Sequence, residues 1–388
     1  MVLLKFGYAL PKEDAVNFSG KSAGICYLPD TLETLFSEPE EKTMKRALSN
    51  IKNGHHSVFG HPTYNLTFEG IPKILAMVLN NEKIYNTSEK SARYTHMDAS
   101  PEEKKLYEKW IAIYKNRIKE VYPQFEDKRA LKLAQENARN LISVFTPATT
   151  MEYTVNFCQL NYIINWAKGY INSNATDAFS LKLKDVFKEF ISSMPDLEFE
   201  GLNTEVKGRK FSLFATRDRQ EEFGENYCTS YYATFAEFAQ AQRHRTINYE
   251  ISIPENPEFV VPQIIEDVPD LKAEWLRDIN SLAHNFPQGM LIKINERGTI
   301  ENFVLKCKER LCGAAQLEIM EQTRNTMEKY LDAVKSDTEL YDYLLPYSKG
   351  PRCTFPGFKC TQPCIFGCKD AFSRIIWCYI FPAINHFL

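Results

Sequence analysis

The sequence contains four short polar segments whose residue types could do chemistry. The first holds three histidines within seven residues: His55, His56 and His61. Histidine is a common zinc ligand, but no carboxylate or cysteine stands at an obvious ligand spacing nearby. A polar active-site loop, a zinc site and ordinary structural histidines therefore all stay open for this segment.

The second segment runs from Ser88 to Tyr94 and contains Glu89, Ser91 and Arg93. On its own it indicates only a polar loop, and a solvated turn is the usual explanation for such a composition.

The third segment, Gln240–Arg245, follows an apolar stretch and places Arg243 and Arg245 on either side of His244. The planar forks of two guanidinium groups suit a phosphate or the electron-rich pyrimidine edge of a reduced flavin. The alternative is a solvated basic helix end, which the helix dipole favours.

The fourth segment, Glu309–Ile319, combines Arg310 with the small residues Gly313, Ala314 and Ala315. Small side chains allow close packing, so we expect Arg310 to face the interior. A buried arginine needs an anionic partner, either a protein carboxylate or a bound ligand.

Four of the ten cysteines cluster near the end of the chain, in a stretch rich in proline and glycine: Cys353, Cys360, Cys364 and Cys368. Four thiolates in such a stretch fit a structural zinc site or an iron–sulfur site, although the spacing is not that of CxxC pairs. Reduced or loosely disulfide-linked cysteines are the alternative. The other six are scattered singly, as expected of reduced core thiols.

Hydrophobic periodicity predicts mostly helices to position these segments. A Rossmann fold and a P-loop fold both fit poorly, because no βαβ rhythm with a glycine-rich phosphate loop occurs. The predicted helices cover residues 31–53 (with a break near Pro39), 101–122, 128–145, 149–171, 177–194, 230–245, 270–286 and 299–334, and the predicted strands cover 62–70, 248–253 and 289–294.

The composition is that of a soluble globular protein: 44% of the 388 residues are apolar, 25% are charged, and the net charge is −3. Without a basic excess, we expect no nucleic-acid partner. The start lacks the basic region of a secretory signal, and the apolar end is interrupted by Pro382 and too short to span a membrane. We therefore expect a cytoplasmic protein without a membrane partner.

The four segments together resemble the flavin-dependent thymidylate synthases, whose pattern occurs here twice and is incomplete each time. The first copy has Asn81-Glu82-Lys83 instead of Arg-His-Arg, Ala167 instead of a late arginine and Gly60 instead of a glutamate, and it retains His55, Ser57, Phe59, His61, Glu89, Ser91, Arg93, Tyr94, Arg139 and Asn156. The second copy has a loop that is one residue short before Ser252, and it retains Gln240, Arg243, His244, Arg245, Arg310, Ala315, Gln316, Glu318 and Ile319.

The resemblance implies an α+β fold: two repeats of the synthase fold, with long helices around small, mostly antiparallel sheets. The repeats would cover residues 1–200 and 201–340, and a Cys-rich tail would follow at 341–388. Enzymes of this family are homotetramers with sites between subunits. Because the missing parts of the two copies are complementary, we expect one composite site and a homodimer of two-repeat chains.

The implied activity is methylation of dUMP to dTMP with FAD, methylenetetrahydrofolate and NADPH; dUMP hydroxymethylation and an inactive nucleotide-binding homologue are the alternatives. By the same resemblance, Arg310 and Ser91 are the catalytic candidates, with a binding role favoured for Ser91. The residues implied in dUMP binding are Gln240, Arg243, Glu89, Ser91, Arg93, Arg139 and Arg310. Those implied in FAD binding are Ser57, Asn156, Arg243, His244 and Arg245, and His55 is implied at the folate.

Overall fold

The computed structural model describes residues 2–4 (backbone only), 10–29, 31–90, 99–194, 197–202, 209–313 and 315–359. The chain forms two compact units, one of Met1–Leu213 with Pro257–Met290 and one of Phe214–Asn256 with Leu291–Leu388. Within the described ranges, no helix is long and apolar enough to cross a membrane. Residues 257–290 thus belong to the first unit, although the sequence assigned them to the second repeat.

The first unit combines helices with a four-stranded antiparallel sheet of strand order β1-β2-β4-β3. Short 3₁₀ turns follow α3 and α6, at His56–Gly60 and Arg139–Leu141. Its strands are β1 (Val2–Leu4), β2 (Thr63–Pro72), β3 (Tyr85–Glu89) and β4 (Pro147–Asn156), and its helices are α1 (Lys12–Tyr27), α2 (Leu32–Ser37), α3 (Glu40–Lys52), α4 (Lys73–Leu79), α5 (Pro101–Val121), α6 (Asp127–Ala138), α7 (Phe157–Ile171), α8 (Ala178–Ser192) and α10 (Pro269–Ser281).

The second unit has a sheet with the corresponding strand order, β5-β6-β8-β7, and every neighbouring pair is antiparallel. Its strands are β5 (Glu222–Phe223), β6 (Asn226–Thr234), β7 (Asn248–Ser252) and β8 (Leu291–Thr299), and its helices are α9 (Phe235–Ala241), α11 (Ile300–Arg310), α12 (Leu317–Ala333) and α13 (Thr338–Leu344). The helices and small antiparallel sheets confirm the predicted α+β class.

Three of the predicted helices contain a strand or an interruption. The helices predicted at 149–171 and 230–245 both begin as strands, β4 and β6, and become helical only at Phe157 and Phe235. In β4, alternate residues are buried, as in a strand with one face on a core. The helix predicted at 299–334 is interrupted between Arg310 and Leu317, where Leu311 leaves helical geometry with ψ at 63°.

The two sheets repeat one order of elements. In each, a long strand runs directly into a seven-residue helix, α4 or α9, and a five-residue strand follows. After a longer excursion, a second long strand pairs with both of these strands and runs directly into α7 or α11. The positions of the two units can therefore be compared one by one.

The predicted boundary at residue 341 falls inside a packed region. Leu340, Leu344 and Phe355 belong to the hydrophobic core of the second unit. Of the four clustered cysteines, Cys353 is partly exposed there, whereas Cys360, Cys364 and Cys368 lie outside the described residues. The first part of the predicted tail is thus part of the second core.

Candidate functional site

The basic segment of the second unit follows α9. Thr234 caps this helix by accepting a hydrogen bond from the backbone N–H of Glu237 at 2.9 Å. Beyond its end, the backbone N–H groups of Arg243 and His244 donate to the carbonyl oxygens of Gln240 and Ala241 at 3.3 and 3.0 Å. This tight turn buries the imidazole of His244 and leaves the flanking Arg243 and Arg245 exposed.

Arg310, the last residue of α11, lies against this turn and is only 9% exposed. Its Nε donates to His244 Nε2 at 2.7 Å, and its Nη2 donates to the Gln240 carbonyl oxygen at 3.0 Å. The prediction of a buried arginine is confirmed. Of the two anionic partners predicted, a protein carboxylate or a bound ligand, the described residues place Glu309 Oε2 at 3.9 Å from Nη2.

His244 stays uncharged in this arrangement. Burial and the nearby charge of Arg310 lower the pKa of its imidazole to about 2. Because Nε2 accepts from Arg310, the single ring proton is on Nδ1. The positive charge of Arg310 is therefore held in place without being neutralised by His244.

Arg243 adds a second positive charge beside this cluster. Its side chain is exposed and makes no ion pair within the described part of the chain. At the carboxyl end of a helix, a cation is favourably placed against the negative end of the backbone dipole. The site thus combines one buried cation, Arg310, with one exposed cation, Arg243.

Two buried amides stand next to Arg310. Gln240 and Gln316 are 6% and 4% exposed, and Gln240 Nε2 donates to Gln316 Oε1. An amide offers both donors and acceptors, so such a pair can read the hydrogen-bonding edge of a planar ring. This part of the second copy therefore forms one connected group around Arg310.

Below this group lies a buried ion pair that the sequence analysis missed. Lys306 and Glu296 are both 0% exposed, and their Nζ and Oε2 atoms are 2.6 Å apart. The Tyr227 and Tyr231 hydroxyls donate to the two carboxylate oxygens of Glu296 at 2.7 and 2.6 Å, and Lys306 Nζ also donates to Gln322 Oε1 at 3.0 Å. Lys306 precedes Arg310 by four residues on α11, a spacing that could have indicated a shared face.

Glu237 is a second buried acid that the sequence analysis missed. Burial and the nearby carboxylate of Glu318 raise the pKa of Glu237 to about 8, against the opposing effect of Lys306. Glu237 is therefore mostly protonated at neutral pH. The interior of the second unit thus holds a protonated carboxylic acid, Glu237, in addition to the paired side chain of Glu296.

In the first unit, the three histidines take different environments. His55 and His61 are exposed, as is Ser57. His56 is buried: its Nδ1 shares a hydrogen bond with the Tyr162 hydroxyl at 2.8 Å, and its Nε2 lies 3.3 Å from a carbonyl oxygen. Among the described residues, no group of three or more histidine, cysteine or acidic side chains could hold a metal ion. The geometry favours one structural histidine and a polar exposed turn.

The other predicted residues of the first unit lie on several of its elements. Glu89 ends β3 and forms an ion pair with Lys73 at the start of α4. Arg139 is buried at 6% exposure, and Asn156 caps α7 by accepting from the backbone N–H of Gln159 at 2.8 Å. Ser91 and Arg93 lie outside the described residues.

Comparison with known proteins shows a family similarity in the first half of the chain. Residues 13–167 match the model of the Thy1 family, described as thymidylate synthase complementing protein. This region is therefore similar to that family, and the match covers less than half of the 388 residues. The match lies inside the first unit.

One solved structure with a similar chain is that of the flavin-dependent thymidylate synthase ThyX from Helicobacter pylori, complexed with FAD and dUMP. The identity is 16%, the match covers 51% of this chain and 100% of that chain, and the TM-score is 0.30. No curated protein matches the sequence.

Proposed function

We propose that this protein methylates dUMP to dTMP with FAD, taking the carbon from methylenetetrahydrofolate and reducing equivalents from NADPH. The observation that carries the proposal is the buried cluster of Arg310, His244 and Gln240, because all three are motif residues of the synthase family. The family model, in contrast, matches the first copy, which lacks these residues. A composite site would combine Glu89, Ser91 and Arg93 with this cluster.

An internal duplication is part of the proposal. It is supported by the shared order of elements in the two sheets and by the equal lengths of α4 and α9. Two copies that began as equals and then lost complementary motifs would leave one complete set per chain. This accounts for a motif that is incomplete in each copy.

The roles proposed for the dUMP-binding residues are those that the resemblance implies. The dUMP phosphate is a dianion, so exposed Arg243 suits it, together with Arg93 and Arg139 of the first copy. Gln240 would read the uracil ring. Arg310 would face the ring as the catalytic residue, because a preorganised cation stabilises negative charge that develops on it. Ser91 would bind rather than attack, since no base was found beside it in the sequence.

The residues proposed for FAD fit an anionic, hydrogen-bonding group. Arg243 and Arg245 are exposed cations, Ser57 is an exposed hydroxyl, and Asn156 keeps its NH₂ group while its Oδ1 caps α7. FAD, when bound, supplies the redox chemistry. His244 would hold Arg310 in position through its neutral ring, and exposed His55 would lie at the folate.

The test is dTMP formation by the purified, FAD-loaded protein from 5-tritiated dUMP, with methylenetetrahydrofolate and NADPH. We expect tritium release and a product with the mass of dTMP; a mass higher by one oxygen would indicate hydroxymethylation. Arg310→Ala should lower turnover about 100-fold or more, as for loss of a charged transition-state contact. Arg243→Ala should lower turnover by weakening the binding of the dUMP phosphate and of FAD. Arg217→Ala, at an exposed position of the same unit, is the matched control. No turnover in the loaded protein would contradict the proposal.

We also propose that Cys353, Cys360, Cys364 and Cys368 bind a structural zinc ion. Four cysteine thiolates are a common ligand set for zinc. Metal analysis of the wild type and of a Cys360→Ser, Cys364→Ser variant tests this, with zinc expected only in the wild type. Cys26→Ser, at an exposed cysteine outside the cluster, is the control. Equal zinc content in all three proteins would contradict the site.

A further inference from the structure

Glu82 of the first unit occupies the position that His244 occupies in the second. Each is the third residue after the seven-residue helix, and the backbone N–H of each donates to the carbonyl oxygen three residues earlier. These distances are 3.2 Å for Glu82 to Leu79 and 3.0 Å for His244 to Ala241. The two side chains therefore leave equivalent turns.

The side chain that bonds to Glu82 in the first unit differs from the one that bonds to His244 in the second. In the second unit it is Arg310, the eleventh residue of α11. The eleventh residue of α7 is Ala167, which is fully buried and has no polar side chain. The first unit instead uses Arg209, whose Nη2 donates to Glu82 Oε2 at 2.5 Å and whose guanidinium lies 4.3 Å from the ring centre of Trp166, the neighbour of Ala167.

The residues that follow Arg209 also bind the Glu82 carboxylate or pack beside it. Ser212 donates to Glu82 Oε1 from its backbone N–H at 2.5 Å and from its hydroxyl at 2.9 Å. Phe211 stacks on Phe187 with ring centres 4.9 Å apart, and Leu213 is fully buried. We call residues 209–213 the docked segment. It satisfies both carboxylate oxygens of a side chain that is itself 0% exposed.

The electrostatic consequence is opposite in the two units. His244 is neutral and leaves the charge of Arg310 available for an anion. Glu82, in contrast, pairs directly with Arg209. A phosphate dianion brought to this turn would meet a buried acidic group and lose the attraction of the paired guanidinium, so binding there is unfavourable.

We propose that the docked segment closes the first-unit counterpart of the Arg310 site, so that each chain binds one dUMP molecule and not two. The proposal rests on the proposed function for the identity of the nucleotide. Arg209 of the docked segment takes the place of the missing arginine, and the segment as a whole occupies the place where a ligand would bind.

Equilibrium dialysis of the FAD-loaded protein against dUMP tests the stoichiometry. One dUMP per chain supports the proposal. Two per chain would overturn it while leaving the proposed function intact. No binding at all would contradict the proposed function itself, so the two failures are distinguishable.

Hydrogen exchange at the Ser212 amide tests the docking independently. Glu82→Ala removes the acceptor, so this amide should exchange about tenfold faster or more. Turnover should stay at the wild-type level, because Glu82 lies outside the proposed catalytic cluster. If Glu82→Ala fails to fold, Glu82→Gln removes the charge and keeps the shape. Unchanged exchange in the folded variant, or a loss of dUMP affinity as large as that of Arg243→Ala, would overturn the proposal.

Discussion

At the residue scale, burial sets the protonation states of His244 and Glu237 in the second unit. The sequence predicted positive charge from the two arginines that flank His244, and the structure adds that His244 itself is a neutral acceptor for Arg310. The flanking Arg243 and Arg245 are exposed, whereas His244 is buried. Burial decides this, because transfer out of water penalises the charged form of an imidazole.

The first prediction concerns Glu237, whose pKa is about 8 in the folded protein. A carboxyl group with a raised pKa binds a proton in the folded state that the unfolded state has released, so its contribution to stability is lost as pH rises towards 8. Between pH 6.5 and 8, wild-type stability should fall more steeply than that of Glu237→Gln, by about 1–2 kcal/mol over the interval.

Urea unfolding at the two pH values measures this difference. His244 affects the wild type and Glu237→Gln equally, so it does not change the difference between their slopes. Glu328→Gln, an exposed position on α12, should keep the wild-type slope. The same slope in Glu237→Gln would contradict the raised pKa of Glu237.

At the element scale, the strand-to-helix junctions explain the main errors of the sequence analysis. Asn156, Thr234 and Thr299 each end a strand and cap the helix that begins at the next residue. Without a loop between them, the two periodicities merge, and a strand followed by a helix resembles one long helix. The cap residues were visible in the sequence, but a cap alone does not show what precedes it.

Strand register explains the shortened loop of the second copy. Asn86 pairs with Thr154 and Asn248 pairs with Arg297, each two residues before the cap of the following helix. Counted from these equivalent pairs, Glu250 corresponds to Ser88 and not to Glu89. Adjacent strand residues point to opposite faces, so Glu250 is not the structural counterpart of Glu89. It forms ion pairs with Arg219 and Arg297 instead.

The second prediction concerns the ion pair between α11 and β8. Lys306→Met leaves Glu296 buried without its cation, which should lower the free energy of unfolding by about 3–5 kcal/mol. The double variant Lys306→Met, Glu296→Gln removes both charges and should recover part of that loss. Lys335→Met, at an exposed position, should change stability little. Urea unfolding checks all three, and a Lys306→Met loss as small as that of Lys335→Met would contradict the prediction.

At the scale of the whole molecule, the chain is two compact units whose boundary differs from the boundary between the motif copies. Residues 257–290 lie between β7 and β8 in sequence but belong to the first unit. No sequence pattern indicated this, because unit membership depends on contacts between residues far apart in the chain. The proposed duplication rests on the order of strands and helices along the chain. That order is the same wherever the boundary between the two units lies.

The third prediction concerns assembly. Family enzymes are tetramers of single domains, and each chain here is proposed to supply two domains. We therefore expect a dimer of chains, with closed two-fold symmetry as the common solution. Light scattering on the eluted, FAD-loaded protein should give twice the mass of the chain at micromolar concentration, and a monomer with full turnover would contradict the dimer.

The sequence by itself predicted the α+β class and carried the resemblance to the synthase family, because both depend on residue types at short spacings. It predicted a buried arginine at position 310, since the small residues nearby favour close packing. Only the tertiary structure decided that His244 is neutral, that Lys306 pairs with Glu296, and that Arg209 takes the place opposite Glu82. These facts depend on burial and on contacts across 10, 66 and 127 residues of chain, which no local pattern contains.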